Sequence, residues 1–257
     1  RTFHKPTVMR TIIVTILGMS FGALIAQTTV SGGIFADATW TLVGSPYHIT
    51  DNVVLFDGLT LTIQPGVVVQ IDPEKTIELR NSRLVAIGTG ALPITFEKAG
   101  SSNWGGFIAV GTSNPLFSGE QVQMEHCIES GANKFMDLDI AYHTPYNFTN
   151  CEFANNDVSF SGGPSAFVQG QYAFDQCSFH DNWTAIQQGF YYTISNCDFS
   201  NNTTAVESGG WVVGCTFTGN SLALSPYGHI DGNTFTENDV AVDGIWNAVN
   251  NVFTNNV

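Results

Sequence analysis

The chain has 257 residues, of which 43% are hydrophobic and only 12% are charged. This composition is typical of a globular protein that can bury a core. The 22 acidic residues outnumber the 8 lysines and arginines, and the formal net charge is −14. Such acidity argues against nucleic acid and against anionic membrane surfaces as partners.

Residues 9–26 resemble a bacterial secretory signal rather than part of a fold. Met9 and Arg10 precede an apolar run over residues 12–26, and cleavage is expected after Ala26. The run is shorter than the roughly 20 residues that span a membrane, so we expect no stable membrane span after cleavage. We interpret the residues before Met9 as lying upstream of the start codon. The mature protein is therefore expected outside the cell or at its surface.

Residues 27–257 are predicted to form a single domain with two parts. Over 40–110, alternating apolar residues such as Leu59, Leu61 and Ile63 predict N-terminal coils that cover the open end of the structure. Repeat coils follow over 111–257. The extra length of 131–144 and 161–170 predicts two loops on neighbouring coils, which could form the walls of a groove.

From residue 150 onward, one short pattern occurs six times. Its anchors are Phe153, Phe179, Phe199, Phe217, Phe235 and Phe253. An asparagine stands three residues after each anchor, and a cysteine (four times) or an asparagine (twice) stands two residues before it. The last three steps between anchors are 18 residues each, and a fixed period in this range is the mark of a solenoid.

Each repeat is expected to supply three short strands. The Cys-x-Phe pair alternates with period two, and apolar residues five before and five and seven after the phenylalanine define two further strands. We expect strands of about five residues, which leaves no room for a helix. The asparagine column is expected to take left-handed backbone angles at tight bends and to stack its amides. The predicted fold is an all-β, right-handed parallel β-helix, and the chain is expected to continue beyond Val257.

These units resemble the parallel β-helix repeats of pectate-lyase-like and bacterial surface proteins. The Phe-x-x-Asn spacing is also similar to that of bacterial adhesins and autotransporter passenger domains. The resemblance covers about residue 40 to the end and implies the fold. It leaves the function open, because this fold carries lyases, glycosidases, adhesins and stalks.

The five cysteines are predicted to be free, buried thiols. Four of them, Cys151, Cys177, Cys197 and Cys215, fall in one inward column, where parallel side chains suit a disulfide badly. A straight column does not converge on a metal ion either. Clusters such as Asn155-Asn156-Asp157 leave Ca²⁺ possible without the spacing of a known calcium loop. No cofactor is expected.

Candidate catalytic residues lie on the predicted outer face of the Cys-x-Phe strand. Glu152 and Asp198 fall two coils apart, about 9–10 Å between backbones, with His180 on the coil between them. That separation is near the one used by inverting glycosidases. The alternative is that these are ordinary polar residues of an outer face.

Candidate ligand-binding residues are Ser178 on the same face and a group of aromatic residues. The aromatic residues are Tyr172, Tyr191, Tyr192 and Trp183. Exposed stacked rings could hold the faces of sugars, and buried rings would instead fill a corner of the coil.

The sequence favours a secreted or cell-surface module without catalytic activity, which acts in adhesion, glycan binding or as a structural stalk. The expected partner is a polysaccharide or a cell-surface glycan. The alternative is a glycoside hydrolase acting on a neutral polysaccharide. A polysaccharide lyase is less favoured, because no lysine or arginine follows Lys134 to hold or deprotonate a polyuronate.

Overall fold

A computed structural model describes residues 27–110, 119–140, 145–162, 172–187, 192–207, 210–225, 228–244 and 247–257. The predicted signal at residues 9–26 and the residues before it lie outside the described residues. In the part that is described, no helix combines the length and the apolar character that crossing a membrane requires.

The first part contains a 3-10 helix at Leu42–Gly44 and the strands β1 (Thr28–Ile34), β2 (Ala38–Trp40), β3 (Tyr47–Leu55), β4 (Thr60–Ile63), β5 (Val68–Ile71), β6 (Thr76–Arg80), β7 (Arg83–Ile87), β8 (Ile94–Lys98) and β9 (Gly106–Val110). The middle part contains β10 (Val122–Glu125), β11 (Cys127–Ser130), β12 (Lys134–Ile140), β13 (Tyr146–Thr149), β14 (Glu152–Ala154) and β15 (Val158–Ser161). The repeats contain β16 (Tyr172–Asp175), β17 (Ser178–His180), β18 (Thr184–Gln187), β19 (Tyr192–Ser195), β20 (Asp198–Ser200), β21 (Thr204–Glu207), β22 (Trp211–Val213), β23 (Thr216–Thr218), β24 (Leu222–Ser225), β25 (His229–Asp231), β26 (Thr234–Thr236), β27 (Val240–Val242), β28 (Asn247–Val249) and β29 (Val252–Thr254).

The strands wind into a right-handed parallel β-helix, which confirms the predicted fold class. In the repeats, each coil supplies three strands, and each strand pairs in parallel with its equivalent on the next coil. The register joins equivalent residues, as in Phe153 with Phe179 and Phe179 with Phe199. The repeat strands are three or four residues long rather than the expected five or so.

The N-terminal and middle coils differ from expectation in two places. Parallel pairing begins with β1 against β3, so it starts at Thr28, before residue 40. The strand β12 occupies half of the range 131–144 that was predicted as a loop, and it pairs with β9 and β15. Its sequence, KFMDLDI, alternates apolar and acidic residues in the manner of a strand. Residues 141–144 and 163–170 of the two predicted loops lie outside the described residues.

A column of stacked phenylalanine rings fills the core of the repeats, as predicted. Neighbouring rings from Phe179 to Phe253 lie 4.7 to 4.9 Å apart and are nearly parallel. The rings up to Phe235 are buried. Phe253 is stacked on Phe235 but half exposed, because it lies in the last described coil.

The asparagines three residues after each phenylalanine form a buried hydrogen-bonded ladder. The side-chain amide of Asn202 donates to Oδ1 of Asn220 at 3.0 Å, and that of Asn220 donates to Oδ1 of Asn238 at 3.0 Å. The same oxygens accept the backbone N–H of the preceding ladder residue. Each rung therefore satisfies buried main-chain groups as well as side chains, which would otherwise carry a desolvation penalty.

The ladder asparagines themselves do not take left-handed backbone angles, so that part of the prediction is wrong. The residue just before each ladder asparagine does so, with φ between 54° and 65°: Asn155, Asp181, Asn201, Gly219, Glu237 and Asn255. The chain reverses at this earlier residue, and the reversal turns the following amide inward, where it reaches the next rung.

The cysteine column is a second ladder at another corner of the coil. The backbone N–H of Cys177 points to Sγ of Cys197, and that of Cys197 points to Sγ of Cys215, both at 3.4 Å. Farther along, the N–H of Cys215 donates to Oδ1 of Asn233 at 2.8 Å. Sulfur and amide oxygen thus fill the same acceptor position. All five cysteines are free and buried, as predicted.

We expect thiol titration of the native protein to detect almost no reactive cysteine. Burial raises the pKa of the Cys151 thiol well above its usual range, so both access and thiolate formation are suppressed. After denaturation, the count should rise to the five free thiols of the chain. A denatured count near one would instead reveal two disulfides.

One inward position of the middle coils carries an acid where the repeats carry phenylalanine. Glu129 pairs in register with Phe96 on one side and Phe153 on the other, and its side chain is fully buried. Its Oε2 accepts a hydrogen bond of 2.7 Å from Nδ2 of Asn156. Asn156, the first asparagine of the ladder, therefore donates its side-chain amide to a buried carboxyl group.

Candidate functional site

The predicted catalytic candidates lie on one outer face of the β-helix. Glu152, Ser178 and Asp198 pair in register on β14, β17 and β20, and His180 lies one column over on β17. With strands about 4.8 Å apart, the backbones of Glu152 and Asp198 are about 10 Å apart. The register therefore places the four residues on three successive coils.

His180 connects two carboxylates at this surface. Its Nε2 lies 3.2 Å from Oε1 of Glu152, and its Nδ1 lies 2.8 Å from Oδ2 of Asp181. Partial burial lowers the pKa of His180, but the hydrogen bonds to Asp181 and Glu152 outweigh burial and raise it overall. Only the protonated ring can donate to both carboxylates. Asp198 is not part of this group, because its Oδ1 accepts a hydrogen bond from the Thr216 hydroxyl.

An open groove of about 340 Å³ lies beside Glu152. We call it the Glu152 groove. Polar and small residues form much of its lining: Thr89, Gly90, Pro93, His126, Asn150, Glu152, Gln176 and Ser178. It brings two of the predicted residues, Glu152 and Ser178, together with His126, which the sequence did not single out.

A second groove, of about 400 Å³, runs over the asparagine corner, and we call it the Trp183 groove. Its lining residues are Asn155, Asn156, Asp157, Asp181, Asn182, Trp183, Asn201 and Thr203. The Trp183 side chain is 68% exposed, whereas most large hydrophobic residues of the repeats are buried. An apolar ring surrounded by carboxylates and amides can contact a ligand that has both an apolar face and hydrogen-bonding groups.

The main chain holds Trp183 firmly in place. Its N–H donates to the carbonyl of Asn156 at 2.9 Å, and its carbonyl accepts the N–H of Thr204, also at 2.9 Å. Because the ladder residue Asn182 points inward, the next residue points outward. The ring therefore lies at a corner of the coil, just before β18, where the buried asparagine ladder fixes the main chain.

Two of the predicted ligand-binding tyrosines do not face solvent. Tyr172 and Tyr192 are each only 3% exposed, so their ring faces are not available to stack on a sugar. The rings instead fill a corner of the coil, which corrects their predicted role in ligand binding. Burial raises the pKa of Tyr172 to about 12 and that of Tyr192 further. The Tyr192 hydroxyl donates to the carbonyl of Glu207 at 3.0 Å. Tyr191 lies outside the described residues.

Sequence reasoning identified Trp183 but missed the residues around it. Asp157 and Asp181 stand four and two residues after their anchor phenylalanines, and these offsets fall at the corner between two strands. Trp183 also stands four residues after its anchor, so it falls in the same column as Asp157 on the next coil, and Asp181 stands two residues before it. These spacings place both aspartates beside Trp183. Among the described residues, no group of three or more His, Cys, Asp or Glu side chains is arranged to hold a metal ion.

Comparison with known proteins adds no family to this description. The chain matches no protein-family model, no curated protein and no solved structure.

Proposed function

We propose that this protein is a secreted or cell-surface β-helix module that binds glycan without chemical turnover, through the Trp183 groove. The observation that carries the proposal is the exposed Trp183 ring among Asp157, Asp181 and Asn201. Sugar rings present C–H faces that pack on an indole and hydroxyl edges that bond to carboxylates and amides. The signal-like segment at residues 9–26 supports an extracellular location.

The shape of the surface favours binding over catalysis. Both grooves are open, so neither desolvates a bound ligand as a closed active site does. Asp198 is engaged with Thr216, and Glu152 is engaged with His180. An open site on a rigid rod gains strength from repeated weak contacts with a polymer rather than from one deep pocket. This use of the fold resembles that of the adhesin-type proteins.

The proposal is tested by glycan-array binding followed by calorimetry with wild type and with Trp183→Ala. We expect the variant to bind about tenfold more weakly, because the apolar area of the ring is lost from the contact. Trp211→Ala is the matched control, since Trp211 is 55% exposed but lies on the other sheet, outside the groove. Equal affinity of wild type and Trp183→Ala, or equal losses in both variants, would contradict the proposal.

A glycoside hydrolase acting on neutral polysaccharide is the second candidate. The observation that favours it is the Glu152 groove, where a carboxylate and the Ser178 side chain line an open cleft. Release of reducing ends from a neutral polysaccharide, lost in Glu152→Gln, would support hydrolysis and overturn the proposal of a module without turnover.

A further inference from the structure

The Trp183 groove contains two carboxylates, those of Asp157 and Asp181, and no lysine or arginine is among the described residues that line it. Asp157 is exposed, and its carboxylate makes no hydrogen bond or ion pair with any described residue. The Asp181 side chain is 51% exposed, and one of its oxygens bonds to His180. The sequence has no lysine or arginine after Lys134, and the net charge of the chain is −14. Cationic ligands are therefore attracted to this groove.

The exposed ring favours the same kind of ligand. A cation over the face of a tryptophan is attracted by the electron density of the ring, and this attraction adds to that of nearby carboxylates. A neutral sugar would use only the apolar face of Trp183 and ordinary hydrogen bonds. A sugar with a protonated amine would also use Asp157 and Asp181.

We infer that the Trp183 groove prefers a polysaccharide with free amino groups, whose sugar rings lie on Trp183 and whose ammonium groups lie against Asp157 and Asp181. The inference rests on the proposed function and specifies its ligand. A simple basic peptide carries the same charge but lacks the sugar face. It therefore serves as the contrasting probe.

The test compares three probes on the wild-type protein by calorimetry, at a pH where the amines are protonated. The probes are a glucosamine oligosaccharide with free amines, its fully N-acetylated counterpart of the same length, and an oligolysine peptide. We expect the free-amine sugar to bind about tenfold more tightly than the acetylated one, since a hydrogen bond to a charged group is stronger than a neutral one. Added salt should reduce this preference.

Two variants locate the preference in the groove. Asp157→Asn should bring the affinities for the two sugars close together, because it weakens binding of the free-amine sugar more than binding of the acetylated sugar. The matched control is Asp239→Asn, because Asp239 stands at the same offset from its anchor, is exposed, and lies outside the groove. That variant should retain the full preference.

The outcomes separate this inference from the proposed function. Equal binding of the two sugars by wild type would overturn the amine preference but leave glycan binding in place. Oligolysine binding as tightly as the free-amine sugar would also overturn it, since the surface would then recognise charge alone. Failure to bind either sugar, together with an empty glycan array, would overturn the proposed function itself.

Discussion

Replacement of Asn220 by alanine is expected to lower the free energy of unfolding by about 3 kcal/mol or more, because several buried polar groups lose their partners at once. The Asn220 Oδ1 accepts from the backbone N–H and the amide of Asn202. Its Nδ2 donates to the carbonyl of Phe199 and to Oδ1 of Asn238. Alanine replaces none of these bonds.

Chemical denaturation of Asn220→Ala beside wild type measures this loss, with Asn247→Ala as the control. Asn247 is also an asparagine of the repeats, but it is exposed, and within the described ranges its side chain bonds only to the ring of His229. Its replacement should change stability by less than about 0.5 kcal/mol. A loss below about 1 kcal/mol in Asn220→Ala would contradict the role of the ladder.

Raising the pH is expected to destabilise the protein through Glu129. Burial raises the pKa of this carboxyl well above its ordinary value of 4.5, against weaker opposition from the hydrogen bond that Asn156 donates. No described residue forms an ion pair with it, and its in-register neighbours are Phe96 and Phe153. The folded protein therefore holds the Glu129 proton at pH values where the unfolded chain has lost it. In that window, the free energy of unfolding falls by up to about 1.4 kcal/mol per pH unit.

Glu129→Gln isolates this contribution, because glutamine keeps an oxygen for Asn156 but does not titrate. The difference in unfolding free energy between the variant and wild type should grow steadily in favour of the variant as pH rises. His180 also has a raised pKa, and the stability that it contributes at low pH is lost as pH rises through that pKa. Both proteins contain His180, so its effect cancels in the comparison. A difference that stays constant from about pH 5 to about pH 9 would show that Glu129 is not the titrating group.

The repeats were predictable because each structural column repeats one residue type. Phenylalanine, asparagine and cysteine at fixed offsets specify which side chains point inward, and the stacked rings and ladders follow from that. The strand β12 was missed because its coil has no asparagine rung to mark it. Its alternation of Met136 and Leu138 with Asp137 was present but had no repeat to support it.

The candidate site was only partly predictable, for physical reasons that differ between its residues. The outer column of Glu152, Ser178 and Asp198 follows from strand alternation alone. Tyr172 and Tyr192 stand two residues before the buried Phe174 and Ile194 on β16 and β19, so the same alternation points their rings inward and favours corner filling, the alternative to sugar stacking. The inward Glu129 could have been recognised, since it follows Cys127 at the same spacing as Phe153 follows Cys151.

The most direct test of the Trp183 groove as a glycan site follows the indole N–H resonances by NMR during titration with the glucosamine oligosaccharides. All tryptophans report in one sample, so Trp211 on the other sheet and the buried Trp104 serve as internal controls. We predict a saturable shift of the Trp183 resonance, with the Trp211 and Trp104 resonances unchanged. A titration that shifts Trp211 as much as Trp183, or that leaves Trp183 unmoved while the oligosaccharide binds, would contradict the assignment of the site.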